Sequence, residues 1–240
     1  MSRKTRIILV NARNPLNIGA AARAMANFGF EDLALVNPYD PAWQEARSAV
    51  GAQELLHRAK TFATVEDAVR DCNLVLGTTS GQRRSLELEN MALPQLPGFL
   101  ESKIPAGRLG VLFGSEKTGL LNEHLAFCHA TVTIPTDKQT PSMNLSHAVA
   151  VCCYVLARGG QGKPAARAKA PKRPDMAEVE RVSGRLLRLY QLADFQKGAS
   201  DAVKREWIRR IFLELDLGRD RILQAGTLLE RIIKKLEGRG

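Results

Sequence analysis

Five short apolar runs constrain this chain more than any other feature: RIILV (6–10), LALV (33–36), NLVL (73–76), GVLF (110–113) and TVTI (131–134). Each is too short for a core helix and almost wholly aliphatic, so each reads as a strand buried on both faces. Helical patterns fill the segments between them. Ala20 to Phe28 closes on Gly29, a residue type that tolerates the left-handed backbone after a helix end, and Thr64 caps a helix from Val65 with Asp67 at its third position. Strands alternating with helices predict an α/β fold, a mainly parallel sheet covered on both faces.

The alternation stops near residue 158. From 159 to 174 the run GGQGKPAARAKAPKRP carries five basic residues and no large apolar side chain, the composition of a linker. Beyond it the pattern is helical only. Met176, Val179, Val182, Leu186, Leu189 and Ala193 share one face of a helix opened by Asp175; a second helix starts after Ser200, and a third carries Ile222, Leu228, Leu229, Ile232, Ile233 and Leu236. The expected organisation is an α/β domain over 1–158, a basic linker over 159–174 and a small helical module over 175–240.

Charge follows the same division. Residues 1–160 hold 16 Lys+Arg against 14 Asp+Glu, whereas residues 161–240 hold 19 against 11. A cationic segment of this kind fits either a polyanionic partner or a solvated surface that keeps the protein in solution. The opening MSRKTRIILVNARNP has too short an apolar run for a secretory signal. No segment approaches the roughly 18 uninterrupted apolar residues of a membrane span, so a cytoplasmic protein with no membrane partner is expected. Cys72, Cys128, Cys152 and Cys153 show no CxxC spacing and read as reduced, buried thiols.

Open α/β sheets place ligands beyond the carboxyl ends of their strands. Four loops qualify here: NARNPLNIGAAAR after the first run, GTTSGQRR after the third, FGSEKTGL after the fourth, and the stretch leading to PSMNLSHAVAVCCYVL after the fifth. In the first, Gly19 permits a tight turn and Arg23, about one turn into the following helix, can reach back toward an anion. None of these loops contains GxGxxG or GxxxxGK[ST], which excludes the familiar dinucleotide and P-loop readings. The histidines His57, His124, His129 and His147 share no metal-ligand spacing with the cysteines, so no metal is expected. Ser142 and Ser146 beside His147 cannot assemble a hydrolytic triad from one helix.

Three of these motifs, NIGAAAR (17–23), FGSEKTGL (113–120) and an Ile-Pro pair followed by PSMNLSHAVAV (134–151), occur in an order and at strand ends that resemble the SpoU branch of the SPOUT methyltransferases. Within that branch the chain is most similar to the bacterial tRNA 2'-O-methyltransferases. The resemblance implies an α/β sheet whose C-terminal part forms a trefoil knot, with S-adenosylmethionine as the methyl donor and RNA, tRNA foremost, as the substrate. It implies that Thr78, Thr79, Ser80, Gly114, Ile134, Pro141, Ser142 and Met143 surround the donor, largely through backbone groups. Met143 stands where leucine is usual, a volume-conserving exchange.

The same resemblance assigns Arg23 to RNA phosphate and to handling of the ribose 2'-hydroxyl, and places Asn17, Glu116, Ser142 and Asn144 around the reaction. A guanidinium with a pKa above about 12 is a poor base, so clamping phosphate and orienting the hydroxyl rank above proton abstraction. Glu116 is read either as part of that machinery or as a carboxylate that pins backbone amides. Arg83 and Arg84 are the candidates for a further RNA contact. The resemblance also implies a homodimer, to which the apolar helix after Asn144 could lend a face, and a ribose at position 32 of the tRNA anticodon loop as target. Other tRNA or ribosomal sites, a catalytically silent RNA-binding protein of this fold, and a base-methylating relative are the alternatives.

Overall fold

The computed structural model describes residues 4–39, 41–80, 88–103, 107–159, 172–195 and 198–238. The chain divides into two compact units, Met1–Ala168 and Lys169–Gly240. Apart from its ends, the segment expected as a linker lies outside the described residues.

The first unit is built on seven parallel strands among the described residues: β1 (Thr5–Val10), β2 (Asp32–Val36), β3 (Lys60–Phe62), β4 (Leu74–Thr79), β5 (Asn90–Ala92), β6 (Leu109–Phe113) and β7 (Ala130–Thr133). Their order across the sheet is β3-β2-β1-β6-β4-β7-β5. Every residue of β1 and of β6 is buried, as runs without polar alternation require of strands covered on both faces. The five runs read from the sequence are all strands. Strands β3 and β5 were not anticipated. Each is three residues long and carries exposed positions, so neither leaves an apolar run to detect.

Helix α1 (Pro15–Asn27) starts five residues earlier than its pattern suggests. Asn14 accepts a hydrogen bond from the Leu16 N–H at 2.9 Å and Pro15 occupies the first turn, a favourable helix start. The C-terminal reading holds: Phe28 is the last cap residue, and Gly29 follows at φ +74°. Gly19 is therefore in mid-helix and turns nothing. Its missing side chain serves close approach, since a Cβ there would stand 2.4 Å from Ser48 Oγ and 2.8 Å from Ala46 Cβ.

Further helices α2 (Gln53–Arg58), α3 (Val65–Val69), α4 (Leu96–Lys103) and α5 (Asn122–Leu125) connect the strands. Thr64 caps α3 by accepting from the Asp67 N–H at 3.1 Å. Helix α6 (Leu145–Gly159) packs on α1 and α4 and buries Leu145, Val149, Cys152, Cys153 and Leu156 in the main core. Most of its apolar surface is thus used within the chain; Tyr154 stays 46% exposed, edge-on to Phe28.

The amino ends of the strands are tied by charge. Buried Arg6 pairs with Asp32 at 3.1 Å and Asp71 at 2.6 Å, and Arg108 joins the same two carboxylates. The carboxyl ends lack such a clasp among the described residues, and the clefts lie there.

In the second unit α7 (Met176–Leu192) packs against both α8 (Asp201–Glu214) and α9 (Arg219–Leu236). Asp175 and Glu178 form a capping box at the start of α7, and Ser200 caps α8. Ion pairs engage much of the positive charge: Arg205 and Arg209 meet buried Glu180, Arg219 meets buried Glu178, and Arg185, Arg188 and Arg210 each pair with a glutamate. Arg209 and Arg210 are themselves buried. Several of the cations that make this module basic thus hold its helices together instead of facing outward.

Candidate functional site

Three loops converge where β4, β6 and β7 end. Thr78, Thr79 and Ser80 come from the first, Gly114 through Gly119 from the second, and Ile134, Thr136, Pro141, Ser142 and Met143 from the third. With Phe113, Leu145 and Ala148 they line an open cleft of about 250 Å³. All eight residues expected around the methyl donor lie along it. Lys117, Thr118 and Thr136 also line it and escaped notice, although two of them sit inside the FGSEKTGL motif.

Small residues let backbone line this cleft. A Cβ on Gly114 would stand 2.0 Å from the Gly119 carbonyl carbon and 2.1 Å from the Leu120 nitrogen, so the returning loop crosses directly over it. That return is held by the Gly119 N–H donating to the Ser115 carbonyl at 2.9 Å, with Gly119 at φ +65°. The Ser115 hydroxyl accepts from the Thr118 N–H at 3.2 Å and lies 2.8 Å from its hydroxyl. Ser115 thus shapes the turn. Thr78 spends its hydroxyl on the Leu112 carbonyl at 2.9 Å. Ser142 is exposed at the cleft and makes no hydrogen bond with the described residues.

A polar relay connects this cleft to α1. The Glu116 carboxylate accepts from the backbone N–H of Arg13 at 3.0 Å, that of Asn14 at 3.2 Å and the Asn17 amide at 2.9 Å. Asn17 in turn accepts from the Asn144 amide at 3.0 Å. Asn144 caps α6, its oxygen taking the Ser146 N–H at 2.9 Å and the Ser146 hydroxyl at 2.8 Å. Four of the five residues expected around the reaction, with Arg23 the exception, thus gather at the junction of three loops. Burial on its own pushes the Glu116 carboxyl up, but the Asn17 amide and the surrounding backbone N–H groups outweigh it and hold the carboxyl below its ordinary value. A carboxylate so engaged is a weak base. It also fixes the two backbone N–H groups that immediately precede α1.

Arg23 is placed differently. With α1 starting at Pro15, it is two turns into the helix, not one. It is exposed, does not line the cleft of its own chain, and makes no hydrogen bond or ion pair with the described residues. Arg83 and Arg84 lie outside the described residues.

Two of the four histidines have structural duties. His124 Nδ1 accepts from the Leu121 N–H at 3.0 Å and His129 Nδ1 from the Val75 N–H at 3.1 Å. Among the described residues no group of three or more His, Cys, Asp or Glu is placed to hold a metal. No described helix is long and apolar enough to cross a membrane. All four cysteines are buried thiols outside any disulfide, and burial pushes those of Cys72 and Cys152 up to about 12.

The model of the SpoU rRNA Methylase family matches residues 4–154. A tRNA (cytidine-2'-O-)-methyltransferase TrmJ of Methanocaldococcus jannaschii is 40% identical over 153 residues, which are 62% of this chain and 66% of that protein. This chain therefore spans just under two thirds of that relative's length. A tRNA (cytidine/uridine/adenosine-2'-O-)-methyltransferase TrmJ of Pseudomonas aeruginosa is 37% identical over 195 residues, 78% of this chain and 74% of that one. The crystal structure of TrmJ from Z. mobilis ZM4 matches with a TM-score of 0.80 at 28% identity, over 95% of this chain and 98% of that chain.

Proposed function

Because the chain belongs to the SpoU rRNA methylase family, we propose that it transfers the methyl group of S-adenosylmethionine to a ribose 2'-hydroxyl of RNA, at position 32 of the tRNA anticodon loop. The tRNA 2'-O-methyltransferases it resembles support the substrate class. One observation carries the reading: the loops after β4, β6 and β7 converge on a single cleft, and Glu116, Asn17 and Asn144 brace the second and third of them to α1.

The residues present suit this donor. Ile134 and Met143 offer apolar surface to a flat ring, while Thr78, Thr79, Ser80 and Gly114 bring backbone groups close. When bound, S-adenosylmethionine would supply an activated methyl group for transfer to the ribose oxygen, the hydroxyl proton passing to solvent. Ser142, with its hydroxyl free at the cleft, orients the ribose. Glu116, Asn17 and Asn144 hold the loops in the geometry that such an attack needs. Arg23 clamps the RNA phosphate and orients the 2'-hydroxyl. It does not line its own chain's cleft, which supports a homodimer in which each subunit lends Arg23 to its partner's site.

Arg83, Arg84 and the basic C-terminal module extend the RNA contact, and the cytoplasm is the setting in which tRNA is met. The insertion of β6 between β1 and β4, with the crossing over Gly114, supports a knotted path for the chain. Incubation with unmodified tRNA and labelled donor, followed by nucleoside mass spectrometry, tests the reaction. A 2'-O-methylated nucleoside at position 32 is expected. A methylated base would defeat the ribose assignment, and RNA binding without donor binding in calorimetry would favour a silent RNA-binding protein.

A further inference from the structure

Beside the donor cleft a second one of about 380 Å³ opens at the carboxyl ends of β1 and β2. Asn11 and Arg13 reach it from the end of β1, Asn37 and Tyr39 from the end of β2, and Lys117 from the loop after β6. Lys117 and two of its neighbours line both clefts, so whatever fills one adjoins what fills the other.

The chemistry of this cleft is specific. Tyr39 is 72% exposed, and the Arg13 guanidinium lies over its ring at 4.7 Å. Neither that guanidinium nor the Lys117 ammonium makes a hydrogen bond or ion pair with a described residue, and no Asp or Glu is among the described residues lining the cleft. Two cations without an acidic partner among the described lining residues therefore stand next to an open aromatic face. Asn11 and Asn37 hold φ of 53° and 46°, a conformation that residues with side chains seldom adopt. Their amides bond to each other at 3.2 Å. That single bond leaves the Asn11 amide hydrogens and the Asn37 carbonyl oxygen for another partner.

A nucleotide complements each of these groups. Its phosphate satisfies Arg13 and Lys117, its base stacks on Tyr39 and Arg13, and the asparagine amides meet the edge of the base. We propose that this cleft is a subsite for the nucleotide adjacent to the one that accepts the methyl group, in single-stranded RNA. The proposal rests on the reading that the chain methylates an RNA ribose, because the wall shared with the donor cleft is what makes the two nucleotides neighbours.

The test uses the full-length protein, a fluorescent unmodified anticodon stem-loop RNA and S-adenosylmethionine. Tyr39→Ala is expected to weaken RNA binding about tenfold or more, with Tyr39→Phe near the parent protein, because the ring face does the work. Arg13→Ala is expected to weaken RNA binding and to lower the slope of log affinity against log salt by about 0.7, the signature of one lost phosphate contact to a single strand. Calorimetric affinity for S-adenosylmethionine should be unchanged in all three variants, which also certifies their folding, and the loss in transfer should fall on KM for RNA. If Tyr39→Ala and Arg13→Ala bind and use RNA like the parent while the parent methylates it, the subsite is refuted and the methyltransferase reading stands. An equal loss for Tyr39→Phe and Tyr39→Ala would refute stacking. A parent protein that binds donor yet neither binds nor methylates RNA would overturn the functional reading, and the subsite with it.

Discussion

Replacing Glu116 with glutamine keeps the size of the side chain and removes its charge. The native carboxylate accepts three hydrogen bonds, from Arg13 N–H, Asn14 N–H and the Asn17 amide. Glutamine has one oxygen. Turned toward Asn14 and Asn17, that oxygen keeps two bonds in neutral form, and the new NH₂ group then faces the Arg13 N–H, donor against donor. A hydrogen bond to a charged group contributes about 1.5–3 kcal/mol and a neutral one about 1 kcal/mol. Glu116 is solvent-exposed, so screening by water pulls the estimate to the low end, about 1–2 kcal/mol at neutral pH. Urea denaturation followed by Trp43 fluorescence reads this unit alone once Trp207, the other of the two tryptophans, is Phe. The carboxyl titrates below its ordinary 4.5 in the folded protein, so as pH falls the unfolded chain takes up the proton first. The advantage of the parent over Glu116→Gln is therefore present in full above the unfolded value and lost as pH falls through the folded one. A stability gap absent at neutral pH, or one that fails to shrink through the carboxylate range, would refute the bracing role.

Other consequences are as direct. Gly114→Ala should cost about 3 kcal/mol or more, because its Cβ would meet backbone and not a yielding side chain; a urea midpoint within experimental error of the parent would contradict the crossing. Ser183 is fully buried in α7 and its hydroxyl finds no partner among the described residues, so Ser183→Ala should stabilise the helical module by about 1 kcal/mol, visible as slower hydrogen exchange of α7 amides. Arg23→Ala should abolish methyl transfer while calorimetric affinity for S-adenosylmethionine stays near the parent's, and a large loss of donor affinity would overturn that division of labour. The four buried thiols should be inert to a disulfide reagent in the native protein at mildly alkaline pH and all react on unfolding.

What the sequence revealed and concealed follows a physical line. Apolar runs such as RIILV and GVLF announce strands because burial on both faces demands them. Lys60–Phe62 and Asn90–Ala92 stay hidden because an edge strand of three residues needs only backbone pairing. The start of α1 was misplaced because Asn14 and Pro15 sit among turn-like residues in NARNPLN, and a proline reads as a break until its place in the first turn is known. The cleft residues were legible as motifs at strand ends. Their mutual bracing was not, since Asn17, Glu116 and Asn144 are brought together from positions about a hundred and more apart. The second cleft left no motif at all: Arg13, Tyr39 and Lys117 are ordinary surface residues until β1, β2 and β6 set them side by side. In the C-terminal module the starts of the first two helices were readable at Asp175 and Ser200, but the net charge gave no hint that buried Glu178 and Glu180 engage several of its arginines.

The strand order also bears on how the protein is made. Strand β6 lies between β1 and β4, so the pairing Thr5 with Leu109 waits for 104 residues of further synthesis. At about 5–20 residues per second that is roughly 5–20 s during which β1 and β4 emerge without the neighbour that joins them. A nascent chain in that interval presents apolar ribbons with unpaired edges, the species most prone to stick to its own kind. The central position of β6 thus makes the ribosome-bound intermediate, more than the finished protein, the stage at which chaperone supply or elongation rate governs yield.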